Sequence, residues 1–157
     1  MDYFQGVVAE YLRADRAMFV NPEHLIQLIA GQKMPTKGTS WIIDLLAVNF
    51  REQAVYLCEV TYSRTQAALI KRLLELAGNW QAVCEALRRD THVPEGWPIR
   101  TWAFVPESLL PKFIPKLQSS QLSPKVTTLE MTEPWRFCTW DRHGEFEKPE
   151  IIPKQMR

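Results

Sequence analysis

The chain has 157 residues, 46% of them hydrophobic and 24% charged, and 19 basic side chains against 18 acidic ones leave a formal charge of +1. That composition suits one folded domain with a sizeable core, and it excludes a disordered chain, a collagen-like repeat and a coiled coil. The near-neutral balance excludes a bulk electrostatic pull on nucleic acid, so any such contact would need local patches. No apolar run approaches the ~20 residues of a membrane span. The opening residues lack the basic and apolar pattern of a signal peptide, and the three cysteines, Cys58, Cys84 and Cys138, are widely spaced. A cytoplasmic protein without a membrane partner is the expectation.

In chain order, Phe4, Val7, Val8, Tyr11, Leu12, Met18 and Phe19 recur at helical spacing, which predicts an amphipathic helix over 2–19. Asn21-Pro22-Glu23 reads as a helix start and Gly31 as its stop, so a short second helix is expected over 22–30. A loop over 31–40 leads to 41–48, apolar on both alternating faces and therefore a covered strand. A turn separates it from 54–61, rich in β-formers and read as a second strand. Leu69, Ile70, Leu73, Leu76, Ala77, Trp80, Val83, Cys84 and Leu87 fit one long helix over 64–89. A third strand over 99–105, an irregular helix over 106–117 and a fourth strand over 126–131 follow, then a charged tail over 141–157. The fold class predicted is a single α/β domain, residues 1–140, with a mixed central sheet and an antiparallel hairpin flanked by helices.

Two acids fall where acids are costly. Asp44 and Glu59 are the only charges in two strands otherwise suited to the core, where an unpaired carboxylate is strongly disfavoured. A hairpin turn centred between Arg51 and Glu52 pairs positions summing to 103, as Asp44 and Glu59 do. The carboxylates then face each other with Cβ atoms ~5 Å apart. A divalent cation between them would remove the repulsion, and oxygen ligands suit Mg²⁺. A turn of odd length would put the two acids on opposite faces. The plainer reading is two acids satisfied by arginine or backbone partners at a sheet end.

An acid on one strand, Ile43-Asp44, then Glu59-Val60-Thr61 on the next, within a helix–strand–strand–helix–strand order, resembles the PD-(D/E)XK, or restriction-endonuclease-like, nuclease superfamily. The resemblance covers residues 1–105. It implies phosphodiester hydrolysis with bound Mg²⁺, or Mn²⁺, held by Asp44 and Glu59, with Glu10 on the first helix matching an extra acid found in many members. Asp15 and Glu23 are further acids nearby in sequence. The motif lysine is Thr61 here, which brings no positive charge. Lys71 is the leading replacement, with Arg72, Arg64 and Lys37 as alternatives; Gln66 matches a helix glutamine seen in several subgroups. The implied partner is nucleic acid, DNA first, and a homodimer would suit a duplex. A nuclease-like domain that has lost catalysis and only binds nucleic acid or protein is the alternative. Converging carboxylates beside a basic side chain would support an enzyme; an arginine clamping both would support a retired site.

Other features compete less well. Trp41 and Trp80 fall on core positions, whereas Trp97 and Trp135 lie in connections where they could stack on bases. Arg88, Arg89, Lys112, Lys116 and Lys125 could track phosphates, or be scattered surface charge. His24, His92 and His143 and the cysteines lack zinc-site spacing. There is no glycine-rich phosphate loop and no Gly-x-Ser-x-Gly elbow. Cys84 beside His92 falls on the apolar helix face and reads as core.

Overall fold

In the computed structural model, which describes residues 1–119 and 123–136, the chain starts with a capped helix, α1 (Tyr3–Arg13). Asp2 accepts from the Gln5 backbone N–H at 2.8 Å, and the Gln5 side chain accepts from the Asp2 backbone N–H at 3.0 Å. This reciprocal box satisfies two amides that a helix start leaves unpaired. The helix buries Val8, Ala9, Tyr11 and Leu12. It stops well before residue 19 because Asp15 turns the chain, its Oδ1 accepting from Ala17 N at 2.9 Å and Arg51 Nη1 at 2.6 Å.

The second helix expected over 22–30 is a strand instead. β1 (Met18–Gln27) lies at the sheet edge and pairs antiparallel with β2 (Ser40–Asn49). Pro22 is tolerated there because an edge strand can spare a ladder donor. Next to it Glu23 takes φ 52°, in a gap between the pairs Pro22–Leu45 and His24–Ile43.

β2 and β3 (Ala54–Val60) form the expected hairpin. Asn49 Oδ1 accepts the Arg51 and Glu52 N–H groups, both at 3.0 Å, and closes a four-residue turn. The pairs run from Asn49–Ala54 to Leu45–Cys58, in the register the sequence predicts. The long helix expected over 64–89 is two, α2 (Ala67–Gly78) and α3 (Trp80–Thr91). Asn79 breaks it at φ −123°, its side chain donating to Glu75 O at 2.9 Å. β4 (Ile99–Val105) then pairs parallel to β3. A 3₁₀ turn and α4 (Leu110–Gln118) lead to β5 (Lys125–Thr128), parallel to β4. The last strand is shorter than expected because Leu129–Thr132 winds into a 3₁₀ turn, with Thr128 as its cap.

The result is a single α/β domain with a five-stranded mixed sheet in the order β1-β2-β3-β4-β5. One face, including Leu45, Tyr56, Trp102 and Phe104, packs on α1. The other packs on α2 and α3 through Ile43, Leu57, Leu76 and Leu87, and on α2 and α4 through Val105, Leu73 and Phe113. Burying each such side chain contributes about 1.5–3 kcal/mol, and a cut such as Leu12→Ala would cost about 2–5 kcal/mol. Among the described residues no helix is long and apolar enough to cross a membrane. The tail expected at 141–157, with Cys138, Trp140 and His143, lies outside the described residues.

Candidate active site

Strand alternation slips at Asp44. Trp41 and Ile43 pack on the α2/α3 side, while Leu45 and Ala47, of the same parity, pack against α1. The β2–β3 ladder also ends here, one pair short of Asp44 and Glu59. The strands part, and the Asp44 carboxylate fills the gap. Its Oδ2 accepts from Val60 N at 2.8 Å, and its Oδ1 accepts from Gln5 Nε2 at 2.8 Å. The Gln5 amide thus serves two ends: its oxygen caps α1 and its nitrogen holds the acid.

Glu59 lies on the face of β3 toward α2 and is 2% exposed. Its Oε2 accepts from Arg72 Nη1 at 3.0 Å, whereas its Oε1 is buried and receives no donor among the described residues. Burial first, and the neighbouring Asp44 charge second, push the Glu59 carboxyl well above the usual carboxylate range, against the pull of Arg72.

Arg72 reaches in from α2. Its Nη1 also donates to Ile42 O at 3.0 Å and lies 3.7 Å from Asp44 Oδ1. One nitrogen makes all these contacts. The other guanidinium nitrogens make no hydrogen bond among the described residues, and the side chain is 38% exposed. This is not the two-nitrogen fork that locks arginine onto a carboxylate. Asp44, Glu59, Val60, Thr61, Ala68, Leu69 and Arg72 line a recess of about 120 Å³.

The other expected site residues lie elsewhere. Lys71, next to Arg72, is exposed and lines a separate shallow surface with Leu74 and Lys116. Successive helix positions point about 100° apart, so only one of the two can face the acids. Glu10 is on the exposed side of α1, paired with Arg13 at 3.1 Å. Asp15 is buried under Arg51, and Glu23 accepts from the Met1 amino group at 2.6 Å. Gln66 ties the start of α2 to Leu109 O at 3.1 Å. Arg64 and Lys37 are exposed.

Of the basic set, Arg88 donates to Trp97 O at 3.5 Å and Arg89 to Gln27 O at 2.7 Å. Lys125 sits over the Trp102 ring at 3.8 Å. These three serve the fold. Cys84 is core, as expected. Gln5 is the contributor that sequence reasoning missed: its spacing from Asp2 marks a helix cap, and nothing local points to its second bond.

The donor set is hard oxygen, and the orphaned Glu59 Oε1 is a ligand atom in want of a partner. No group of three or more His, Cys, Asp or Glu side chains placed to hold a metal occurs among the described residues. Mg²⁺ does not need one, because it keeps several waters and binds through one or two carboxylates. The residues therefore fit such an ion at Asp44 and Glu59, without Glu10. No protein-family model, curated protein or solved structure matches this chain.

Proposed function

We propose that this chain is a Mg²⁺-dependent phosphodiester hydrolase acting on nucleic acid, with a restriction-endonuclease-like core. Asp44 and Glu59 hold the ion, and Mn²⁺ could replace it. On this reading Arg72, reaching in from the next helix, takes the part of the superfamily's strand lysine, since position 61 is Thr. The observation that carries the reading is the buried, half-satisfied Glu59 facing Arg72 beside Asp44. Around the pair the elements run α1, β1, β2, β3, α2, α3, β4, which keeps the helix, strand hairpin, helix and parallel strand of the expected order with β1 and α3 added.

When bound, the ion lowers the pKa of a water and offsets charge on the phosphate. Asp44 is oriented for its share by Val60 N–H and Gln5. Glu59 offers its buried Oε1. The free guanidinium nitrogens of Arg72 supply donors for phosphate oxygens, where such groups stabilise developing charge.

One observation favours a second reading. Arg72 Nη1 touches Glu59, Asp44 and Ile42 O together, as a cation that has replaced a metal would. On that reading the domain is a retired nuclease that binds nucleic acid or protein.

The experiment is cleavage of plasmid, single-stranded DNA and RNA with Mg²⁺ or Mn²⁺. Metal-dependent cutting by wild type that Glu59→Ala abolishes supports the hydrolase. No cutting of any substrate by wild type moves the conclusion to the second reading.

A further inference from the structure

We infer that the chain carries a pocket for an unpaired nucleobase at the carboxyl ends of the central strands, so that its substrate is single-stranded or locally unpaired; this rests on the hydrolase reading above. Behind the carboxyl ends of β3, β4 and β5 lies a cleft of about 390 Å³. Ligands of α/β sheets gather outside those strand ends. The cleft draws on the segment after each of the three strands, through Tyr62, Pro106 and Leu129, and on α1 through Tyr3 and Phe4. Trp135 also lines it.

Its chemistry suits a base rather than a phosphate. Phe4 and Tyr62 lie 4.6 Å apart with their planes tilted by 31°. Tyr3, Tyr62 and Trp135 are 76%, 56% and 78% exposed. Three large rings left to water around one cleft offer π-faces to a flat partner, and bases stack on such rings regardless of sequence. Among the described residues no lysine or arginine lines the cleft, whereas Glu130 and Glu133 do, each with one oxygen already engaged, by Glu107 N at 2.8 Å and by Arg136 at 3.1 Å. Carboxylates repel phosphate but accept the N–H groups on a base edge.

The cleft and the acid recess have no lining residue in common, but they adjoin along the chain. Tyr62 is three residues beyond Glu59, and Phe4 precedes Gln5, whose amide holds Asp44. A strand whose phosphate meets Arg72 would bring a neighbouring base to the rings. A base paired inside a duplex has no free face to give them, which excludes intact duplex from the cleft.

The test uses the full chain in EDTA, so that binding is read without cutting. A single-stranded oligonucleotide carrying 2-aminopurine, whose fluorescence falls on stacking, is titrated beside the same base in a duplex. Quenching on the single strand and little on the duplex is the expected result. Trp135→Ala and Tyr62→Ala should each weaken binding on the order of tenfold, and Trp135→Phe should restore most of it. Both positions are exposed, so circular dichroism should show an unchanged fold. Equal quenching on duplex, no quenching, or alanine variants that bind as wild type would overturn the inference. Metal-dependent cutting with any of those results leaves the hydrolase standing and removes the pocket. Base-dependent binding with no cutting under Mg²⁺ or Mn²⁺ keeps the pocket and removes the hydrolase.

Discussion

The backbone N–H of Val60 donates to Asp44 Oδ2 at 2.8 Å, just where the β2–β3 ladder ends. A carboxylate thus replaces a main-chain carbonyl at the point where two strands separate. Asp44 Oδ1 is held by a second donor, Gln5 Nε2. An amide at position 44 cannot serve both, since one of its two atoms is itself a donor. Asp44→Asn should therefore cost about 1–3 kcal/mol, the penalty of a donor left facing a donor. Urea denaturation reads this directly. An unchanged midpoint would mean that the Val60 and Gln5 contacts contribute nothing net.

Glu59 should make stability fall as pH rises above the ordinary carboxylate range. Below about pH 4 both folded and unfolded chains keep the proton on this carboxyl. Above that the unfolded chain releases it, while burial and the Asp44 charge hold it on the folded one. Folding then takes up a proton, and its benefit is lost with rising pH until the folded group titrates too. Glu59→Gln removes this term. In EDTA the Tm of Glu59→Gln should gain on wild type as pH rises above the ordinary glutamate range. Parallel curves would show that Glu59 ionises like a surface acid.

Arg72 and an ion compete for the same carboxylates. Millimolar Mg²⁺ or Mn²⁺ should raise the wild-type Tm, since an ion at 100 times its Kd adds about 2.7 kcal/mol. Glu59→Gln should show no such rise. Arg72→Ala should bind the ion more tightly yet cut phosphodiester on the order of 100-fold more slowly. If Arg72→Ala instead gains activity, the arginine is a plug and the hydrolase has been silenced by it.

His92 follows the last helical turn of α3 with φ 56°, its N–H donating to Arg88 O at 3.0 Å. This left-handed conformation costs an L-residue about 1–2 kcal/mol and glycine almost nothing. His92 is exposed, so little contact is lost on replacement. Part of the relief is offset by glycine's freer unfolded chain. His92→Gly should raise stability by about 0.5–1 kcal/mol. A lower thermal midpoint would show that the imidazole makes contacts worth more than the strain.

The hairpin and its register were legible because alternation and turn length are local. Two acids in two apolar strands were legible for the same reason. The edge strand β1 was not: Asn21-Pro22-Glu23 has the residue types of a helix start, and only the neighbouring strand makes it extended. The break at Asn79 was hidden because Leu76, Trp80 and Val83 continue the apolar period across it. Arg72 and Lys71 are adjacent and chemically alike in sequence, so the choice between them rests on helix phase, which depends on where α2 starts. Gln5 and Asp44 are 39 residues apart, and no spacing rule joins a helix cap to a strand acid.

The proline and the left-handed glutamate on β1 have a consequence for life in a crowded solution. An open sheet edge invites a stranger's backbone to continue it, and uninterrupted apolar edges seed fibres. Pro22 has no amide hydrogen to offer an arriving strand, and Glu23 at φ 52° bends the row of remaining groups out of line. Replacing both with valine and threonine would give a straighter, stickier border. The kink that hid this strand in the sequence works against a neighbouring molecule adding a strand on the β1 side of the sheet.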